Sequence, residues 1–333
     1  MSGVALATRG LVKRYGRRNA LDGFTVSVPR GVIMGLVGRN GAGKTTWMMS
    51  VAGFLRPTAG EIDLLGRGPF DAAVHAGRVA ILPQDSELPL EATPAELLYR
   101  YGRLQGLSAA AARTSARDML AAVNLGDRAG SRIRALSHGM RKRVMLAQCF
   151  LGEPELVLLD EPLNGLDPAE QDRMRRFLRA RRGRQTIVIS SHNLNDIELL
   201  CTHVTFVEKG RVVRTSPLTS LTQAAGRVEY VLAEQPADWD AFLAELAAAL
   251  PGADFARAAG TDASMPAGGA VLACSFDASA VGVADVNRKV LPVLLARAAL
   301  HAVSPGQSLE QAFQDASGRT SSTSTSTGLP DLR

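Results

Sequence analysis

A glycine-rich loop with one lysine carries the clearest chemical signal in this sequence. Residues 38–46 read GRNGAGKTT and match the phosphate-binding pattern G-x-x-x-x-G-K-[ST]. Glycines let the backbone wrap a phosphate chain with its N–H groups pointing inward, and a following helix adds partial positive charge. Lys44 would reach the β- and γ-phosphates, and the Thr45 hydroxyl would ligate Mg²⁺. The predicted binding residues are Gly38, Asn40, Gly41, Ala42, Gly43, Lys44, Thr45 and Thr46.

Two adjacent carboxylates follow an aliphatic run further along the chain. Residues 156–159 are Leu-Val-Leu-Leu, and Asp160 and Glu161 come directly after them. With a phosphate loop upstream, this pattern predicts that Asp160 holds Mg²⁺ and that Glu161 polarises the attacking water. Adjacent carboxylates are common, and the alternative is that they cap the next helix.

Residues 136–143, between these two motifs, read LSHGMRKR. Here the chain resembles the nucleotide-binding subunit of ATP-binding cassette (ABC) transporters, whose signature is L-S-G-G-Q. His138 and Met140 depart from that signature, whereas Ser137 and Gly139 keep it. The resemblance implies that these two residues contact the γ-phosphate across a dimer, and the form L-S-x-G-M-[RK] is similar to exporter cassettes. The local alternative is that Ser137 caps a helix.

Four further residues match the cassette pattern in order. The resemblance implies that Tyr15 stacks on adenine and that Gln84 senses Mg²⁺ and water. It further implies that Asp167, in the D-loop at 163–167, crosses the dimer interface and that His192 contacts the γ-phosphate. The alternatives are an ordinary strand tyrosine, a helix cap at Asp167 followed by Pro168, and a structural histidine.

The surrounding pattern predicts the elements that position these residues. Aliphatic runs at 32–37, 79–82, 156–159 and 186–190 suit buried parallel strands, whose carboxyl ends carry ligand groups. Runs at 11–15 and 24–28 predict two paired strands, and 93–124 is helical in pattern. The resulting fold class is α/β: a P-loop ABC cassette, with a mixed sheet core and antiparallel β and helical subdomains, plus a small C-terminal α+β domain.

The sequence divides into three predicted zones. Residues 1–218 form the nucleotide-binding domain, and 317–333 are Ser/Thr-rich and predicted to be disordered. Residues 226–316 form an accessory domain with the pattern β-α-β-α-β-α, for which we expect a ferredoxin-like fold and a regulatory or dimer-stabilising role. Pro292 would kink its second helix, at 286–300, or mark its start. The ending at 303–313 is similar to that of ABC-2-type and drug-exporter cassettes.

Composition narrows the class of protein. The net charge is +6, but the arginines are spread along the chain, so no nucleic-acid partner is expected. The densest arginine cluster, at 173–184, is predicted to be a solvated helix face, with docking to an acidic partner or anionic lipid as the alternative. Three scattered cysteines predict reduced thiols. No run approaches 18 uninterrupted apolar residues, so no membrane span is expected.

The expected function is ATP hydrolysis with Mg²⁺ that powers a separate membrane permease, with export as the favoured direction. The partners implied by the resemblance are the permease and a second cassette, as a homodimer, at the cytoplasmic face of the membrane. One alternative is a soluble cassette ATPase of DNA repair or ribosomes. Another is an ATP-binding regulatory module with slow or absent hydrolysis, which His138 and Met140 motivate.

Overall fold

The computed structural model describes residues 3–223, 226–258, 268–277, 281–297 and 300–305. The chain divides into two compact units, Met1–Ser220 and Leu221–Arg333. The Ser/Thr-rich tail at 317–333 and the exporter-like ending beyond residue 305 lie outside the described residues.

The first unit alternates strands and helices, as the aliphatic runs predict. Its strands are β1 (Val4–Tyr15), β2 (Arg18–Pro29), β3 (Ile33–Val37), β4 (Ala59–Leu64), β5 (Val79–Leu82), β6 (Leu156–Asp160), β7 (Thr186–Ser191), β8 (His203–Glu208) and β9 (Arg211–Pro217). Its helices are α1 (Lys44–Val51), α2 (Ala72–His75), α3 (Pro94–Leu104), α4 (Ala109–Ala122), α5 (His138–Gln148), α6 (Pro168–Arg179), α7 (Leu194–Leu200) and α8 (Leu218–Gln223), the last of which runs past Ser220.

A six-stranded sheet forms the centre of this unit, in the order β5-β6-β7-β3-β8-β9. The first five strands run parallel, and β9 pairs antiparallel with β8. Strands β3, β6 and β7 are buried along their whole length, which explains the aliphatic runs within their sequences. Because β3, β6 and β7 are parallel neighbours, the polar residues after them meet at one edge of the sheet.

A second sheet, in the order β2-β1-β4, is antiparallel and confirms the predicted pairing of the two N-terminal runs. Its apolar face shares one core with α1 and the central sheet. Trp47 of α1 is the largest side chain of that core: it stacks on Phe24 at 5.4 Å between ring centroids, and its indole N–H donates to Thr8 Oγ1 at 3.2 Å. The helix that starts at the phosphate loop is therefore fixed between the two sheets.

The helical pattern at 93–124 folds as two helices, α3 and α4, and not as one. Gly106 takes φ +92° between them, and Ser108 caps α4 by accepting from the Ala111 N–H at 3.2 Å. Thr93 begins α3 with a capping box that includes Glu96. Helix α5 packs against both helices.

The second unit contains β10 (Arg227–Leu232), α9 (Trp239–Ala249), β11 (Asp254–Ala258), β12 (Ala270–Ser275), α10 (Val283–Arg297) and β13 (Leu300–Pro305). The predicted order β-α-β-α-β-α missed β11, an edge strand with a short and mixed sequence that carries little pattern. The observed order β-α-β-β-α-β, with antiparallel strands arranged β11-β12-β10-β13, is that of a ferredoxin-like unit. Pro292 lies inside α10, which starts nine residues earlier at Val283.

The arginine cluster at 173–184 is not simply a solvated helix face, so that prediction was wrong in part. Arg175 is buried and donates to Asp196 at 2.6 Å. Arg181 lies 3.5 Å from the ring centroid of Phe177, and burial lowers its pKa to about 10. Arg175 therefore connects α6 to α7, and Arg181, in the turn after α6, also lies over the Phe150 ring. The sequence pattern assigned both charges to solvent, but both make tertiary contacts.

Candidate functional site

The phosphate loop connects β3 to α1, and two of its glycines are required by close approaches. A Cβ on Gly38 would lie 2.4 Å from the Val207 carbonyl oxygen. Gly43 precedes α1 at φ +108°, where a Cβ would lie 2.8 Å from the Ala20 carbonyl oxygen. Because both contacts are with backbone atoms, the neighbouring chain leaves no room for a side chain at either position.

Lys44 begins α1 and is 7% exposed. Its ammonium donates to the Gly38 carbonyl at 2.6 Å and to the Arg39 carbonyl at 3.4 Å, so it is folded back along the loop. Burial lowers the pKa of Lys44, and the charges of Glu161 and Asp160 act in the opposite direction. A flexible buried ammonium beside loop amides can move a short distance to an anionic ligand.

Asp160 ends β6 and is buried beside the equivalent end of β7. One carboxylate oxygen, Oδ1, accepts from the Ser190 hydroxyl. The other oxygen, Oδ2, is buried and has no hydrogen-bond partner among the described residues. A buried carboxylate oxygen without a partner is costly. With the Thr45 hydroxyl and Gln84 lining the same cleft, its donor chemistry fits a hard cation such as Mg²⁺.

Glu161 and His192 form a direct pair. Glu161 Oε1 lies 3.0 Å from His192 Nδ1, and the two side chains are 9% and 56% exposed. The Glu161 backbone takes φ +50°, uncommon for a residue other than glycine, and its N–H donates to Ser190 Oγ at 3.0 Å. This combination of a fixed buried carboxylate and an accessible imidazole is suited to holding and moving a proton.

These groups line one cleft of about 610 Å³. The predicted residues around it are Tyr15, Asn40, Gly41, Ala42, Gly43, Lys44, Thr45, Thr46, Gln84, Asp160, Glu161 and His192. Gly38 does not line the cleft, but its carbonyl holds the Lys44 ammonium there. Residues separated by up to 177 positions in sequence, from Tyr15 to His192, therefore share one concave surface that carries both cations and anions.

Besides Gly38, three predicted residues do not line this cleft: Ser137, Gly139 and Asp167. Ser137 caps α5, where its Oγ accepts from the Met140 N–H at 3.2 Å. Asp167 caps α6, where Oδ1 accepts from the Glu170 N–H at 2.9 Å. The local capping alternatives are thus confirmed for both residues. Within one chain, the structure does not bring these three residues to the cleft.

Comparison with known proteins identifies the family. Residues 21–164 match the family model described as ABC transporter. The Nod factor export ATP-binding protein I of Ralstonia nicotianae is 35% identical over 66% of this chain and 70% of its own length. The daunorubicin resistance ATP-binding protein DrrA3 of Streptomyces coeruleorubidus is 34% identical over 70% and 75%. This chain belongs to the ABC transporter family.

Solved structures agree with the fold. An ATP-binding subunit of an ABC transporter is 29% identical, with a TM-score of 0.60 over 66% of this chain and 92% of that one. An ATP-binding cassette in a dimeric post-hydrolysis state with ADP and Pi is 20% identical, with a TM-score of 0.59 over 64% and 98%. The second likeness shows the cassette fold alone. No helix within the described ranges is both long enough and apolar enough to cross a membrane.

Sequence reasoning missed three polar residues of this cassette's cleft. Arg18 and Asn164 line it, and Ser190 supports both Asp160 and the Glu161 backbone. Ser190 could have been found, because it ends an aliphatic run in the same way as Asp160 does. Arg18 and Asn164 lie in a hairpin and a loop, where the sequence pattern does not fix side-chain direction.

Proposed function

We propose that this cassette is the ATP-hydrolysing subunit of a transporter, and that a separate membrane permease uses its closure and release to move cargo. The observation that supports this most directly is the convergence of Lys44, Asp160 and the Glu161–His192 pair on one cleft. A binding site alone needs the lysine and the loop. A hydrolytic site also needs a base beside the terminal phosphate and a place for a metal.

The phosphate loop at one end of the cleft and Tyr15 at the other give the nucleotide one expected orientation. The phosphates would lie on the amides of residues 40–46, with the Lys44 ammonium moving from the Gly38 carbonyl to the β- and γ-phosphates. Tyr15 is half exposed at the other end, on the β1–β2 hairpin, where its ring is available to stack on adenine. Binding therefore replaces hydrogen bonds from the Lys44 ammonium to neutral carbonyls by contacts with charged phosphate oxygens.

The Mg²⁺ ligands would be Thr45, Asp160 and Gln84. The unpartnered Oδ2 of Asp160 supports this assignment, since a cation would satisfy it. When bound, Mg²⁺ supplies charge neutralisation at the β- and γ-phosphates. Ser190 holds the other oxygen of Asp160 and so orients the carboxylate toward the ion.

Glu161 would position and polarise the attacking water. The water oxygen forms a bond to the γ-phosphorus, the bond from that phosphorus to the bridging oxygen breaks, and ADP leaves with inorganic phosphate as the second product. His192, hydrogen-bonded through Nδ1 to Glu161, keeps the carboxylate oriented and presents its other ring edge to the γ-phosphate. Positioning and charge compensation supply most of the rate enhancement.

A second copy of the chain would complete each site. Ser137, Gly139 and Asp167 lie outside the cleft of their own chain, so a head-to-tail pair would bring them to the partner's nucleotide. Two relatives are named for Nod factor export and daunorubicin resistance, which supports export as the direction. The cassette would work at the cytoplasmic face, bound to the permease.

The test of this function is the Glu161→Gln variant, with Glu61→Gln as the matched control. Glu61 is exposed on β4 and makes a long ion pair with Arg9, at 3.8 Å. Glu161→Gln is expected to lose ATP turnover and to remain dimeric in ATP, as measured by size-exclusion chromatography, while Glu61→Gln behaves as wild type. Full turnover in Glu161→Gln would contradict the catalytic assignment. ATP binding without turnover in the wild type, with its permease present, would favour a regulatory binding module.

The accessory domain at 226–316 would stabilise the dimer or regulate it. Its sheet and two helices enclose a core of their own, which includes Tyr230, Leu246 and Val290. A chain truncated before residue 226 tests this role by its dimerisation, ATP turnover and transport. Unchanged values for all three would contradict the proposal.

A further inference from the structure

Arg18 is a cation of the nucleotide cleft that belongs to none of the cassette motifs. It starts β2, directly after the tight turn in which Gly16 takes φ +56°. In the β1–β2 register Arg18 pairs directly with Tyr15. Residues that oppose each other in an antiparallel pair point to the same face of the ribbon. Tyr15 and Arg18 both line the cleft, as this geometry requires, whereas Arg17 in the turn does not.

The Arg18 guanidinium reaches toward the middle of the phosphate loop. The point at which a Cβ would stand on Gly41 is 4.0 Å from Arg18 Nη2, and Gly41 itself takes φ +78°. Gly41 lies between the first glycine of the loop and Lys44, in the segment whose N–H groups cradle phosphates. The guanidinium is therefore placed beside the phosphate path as well as beside the tyrosine.

The neighbouring polar side chains of the hairpin are paired, and Arg18 is not. Arg14 donates to Asn19 at 3.0 Å, and Asn19 donates to Asp22 at 3.1 Å. Asp22 is also held by Arg211 at 2.6 Å. Within the described part of the chain, no side-chain hydrogen bond or ion pair involves Arg18. An exposed cation without a partner, on a hairpin held in place by its neighbours, is available for an anionic ligand.

We infer that Arg18 binds the nucleotide through a phosphate that ATP and ADP share, on the hairpin side of the cleft. This inference rests on the proposed function and adds a phosphate contact that lies outside the loop motif. A planar guanidinium forms two parallel hydrogen bonds to phosphate oxygens, which a single ammonium cannot reproduce. Because the α- and β-phosphates are common to ATP and ADP, Arg18 sets the affinity for both nucleotides and does not discriminate between them.

The experiment measures equilibrium binding of ADP and of a non-hydrolysable ATP analogue by isothermal titration calorimetry. Arg18→Ala is expected to weaken both by a similar factor of about ten, the usual size of one lost charge-assisted contact. Arg18→Lys is expected to recover part of the loss. Arg17→Ala is the matched control. It removes the same charge from the neighbouring residue, whose side chain does not line the cleft.

Four outcomes separate the explanations. If Arg18→Ala and Arg17→Ala bind the nucleotides with equal affinity, the inference is overturned. The two arginines would then act only through the general positive charge of the hairpin. A loss for the ATP analogue but not for ADP would also overturn it, because the contact would then be with the γ-phosphate. GDP is the third probe: a loss for ADP but not for GDP would place the guanidinium on the base and overturn the phosphate contact. Absence of nucleotide binding by the wild type would contradict the proposed function itself.

Discussion

The nucleotide cleft and the start of α5 differ in how they use polar residues. The cleft gathers Lys44, Asp160 and Glu161, which are 7%, 2% and 7% exposed, at the ends of buried strands. At the start of α5, Ser137 is exposed, and its hydroxyl already caps its own helix. The cleft is therefore prepared for a ligand within one chain, whereas the signature residues are presented outward from it.

This difference separates binding from turnover. Buried carboxylates and a buried lysine keep their field inside a low-dielectric site, so they act strongly on a bound triphosphate. In the proposed head-to-tail dimer, the exposed start of α5 would act when the partner chain covers it and excludes water. Variants in the two regions are therefore expected to fail in different measurements.

The largest effect is expected for Lys44→Ala. It removes the lysine of the phosphate loop, which lines the cleft. We expect ATP turnover to fall by about a thousandfold, with a clear loss of nucleotide affinity. A coupled ATPase assay and calorimetry check both expectations. Lys289→Ala, an exposed lysine of α10, is the control. Unchanged affinity in Lys44→Ala would break the assignment of the cleft to phosphate binding.

A smaller loss of turnover, about a hundredfold, is expected for Ser137→Ala, with unchanged affinity of the single chain for ATP. A mixture of equal amounts of the Ser137→Ala and Lys44→Ala proteins tests whether Ser137 acts across a dimer. In head-to-tail pairs, mixed dimers contain one site with an intact lysine and an intact signature, so turnover should recover to at most about a quarter of wild type. No recovery, with mixed dimers detected, would mean that Ser137 acts within its own chain.

Loss of a buried ion pair between α6 and α7 is expected to lower the stability of the fold. Arg175 of α6 donates to Asp196 of α7, and their side chains are 11% and 7% exposed. Arg175→Met leaves a buried carboxylate unpaired and is expected to cost about 3 kcal/mol in urea unfolding. Arg175→Met with Asp196→Leu should recover most of that loss. Arg176→Met, at an exposed position, is the control, and an equal cost for it would contradict the buried-pair explanation.

The smallest effect concerns Glu155, which accepts from Arg30 at 2.9 Å and from Arg78 at 2.7 Å. Burial opposes its charged form, but the two arginines outweigh burial and hold the pKa of Glu155 below its usual 4.5. Its stabilisation is therefore present above pH 4.5 and is lost as pH falls through the lowered value.

Glu155→Gln tests this pH dependence by urea unfolding. Since the side chain is 38% exposed, the expected cost at pH 7 is about 1 kcal/mol or less. The difference from wild type should shrink below pH 4.5. Glu61→Gln, whose side chain is 77% exposed, should show little cost at any pH. A difference for Glu155→Gln that grows on acidification would contradict the assigned cause.

Motif order predicted most of the cleft because its chemistry lies at the ends of buried strands. An aliphatic run predicts a central strand, and parallel neighbours must end at the same edge, so the sequence alone predicts that Asp160 and His192 lie near Lys44. The same reasoning failed for β11, where no aliphatic run marks an edge strand. At 93–124 the helical prediction is confirmed, but the break between the two helices, where Gly106 takes a positive φ, was not predicted.

The sequence by itself determined the family, the phosphate loop, the acidic pair and the cassette fold, because each depends on residue types at fixed spacing along a short segment. The tertiary structure alone decided that Asp160 Oδ2 lacks a partner among the described residues, that Arg175 is buried, that Arg181 lies over the Phe177 ring, and that Arg18 faces the phosphate loop. These features depend on strand register and on packing between segments far apart in the chain. No local pattern encodes the distance between such segments, because it follows from the whole core.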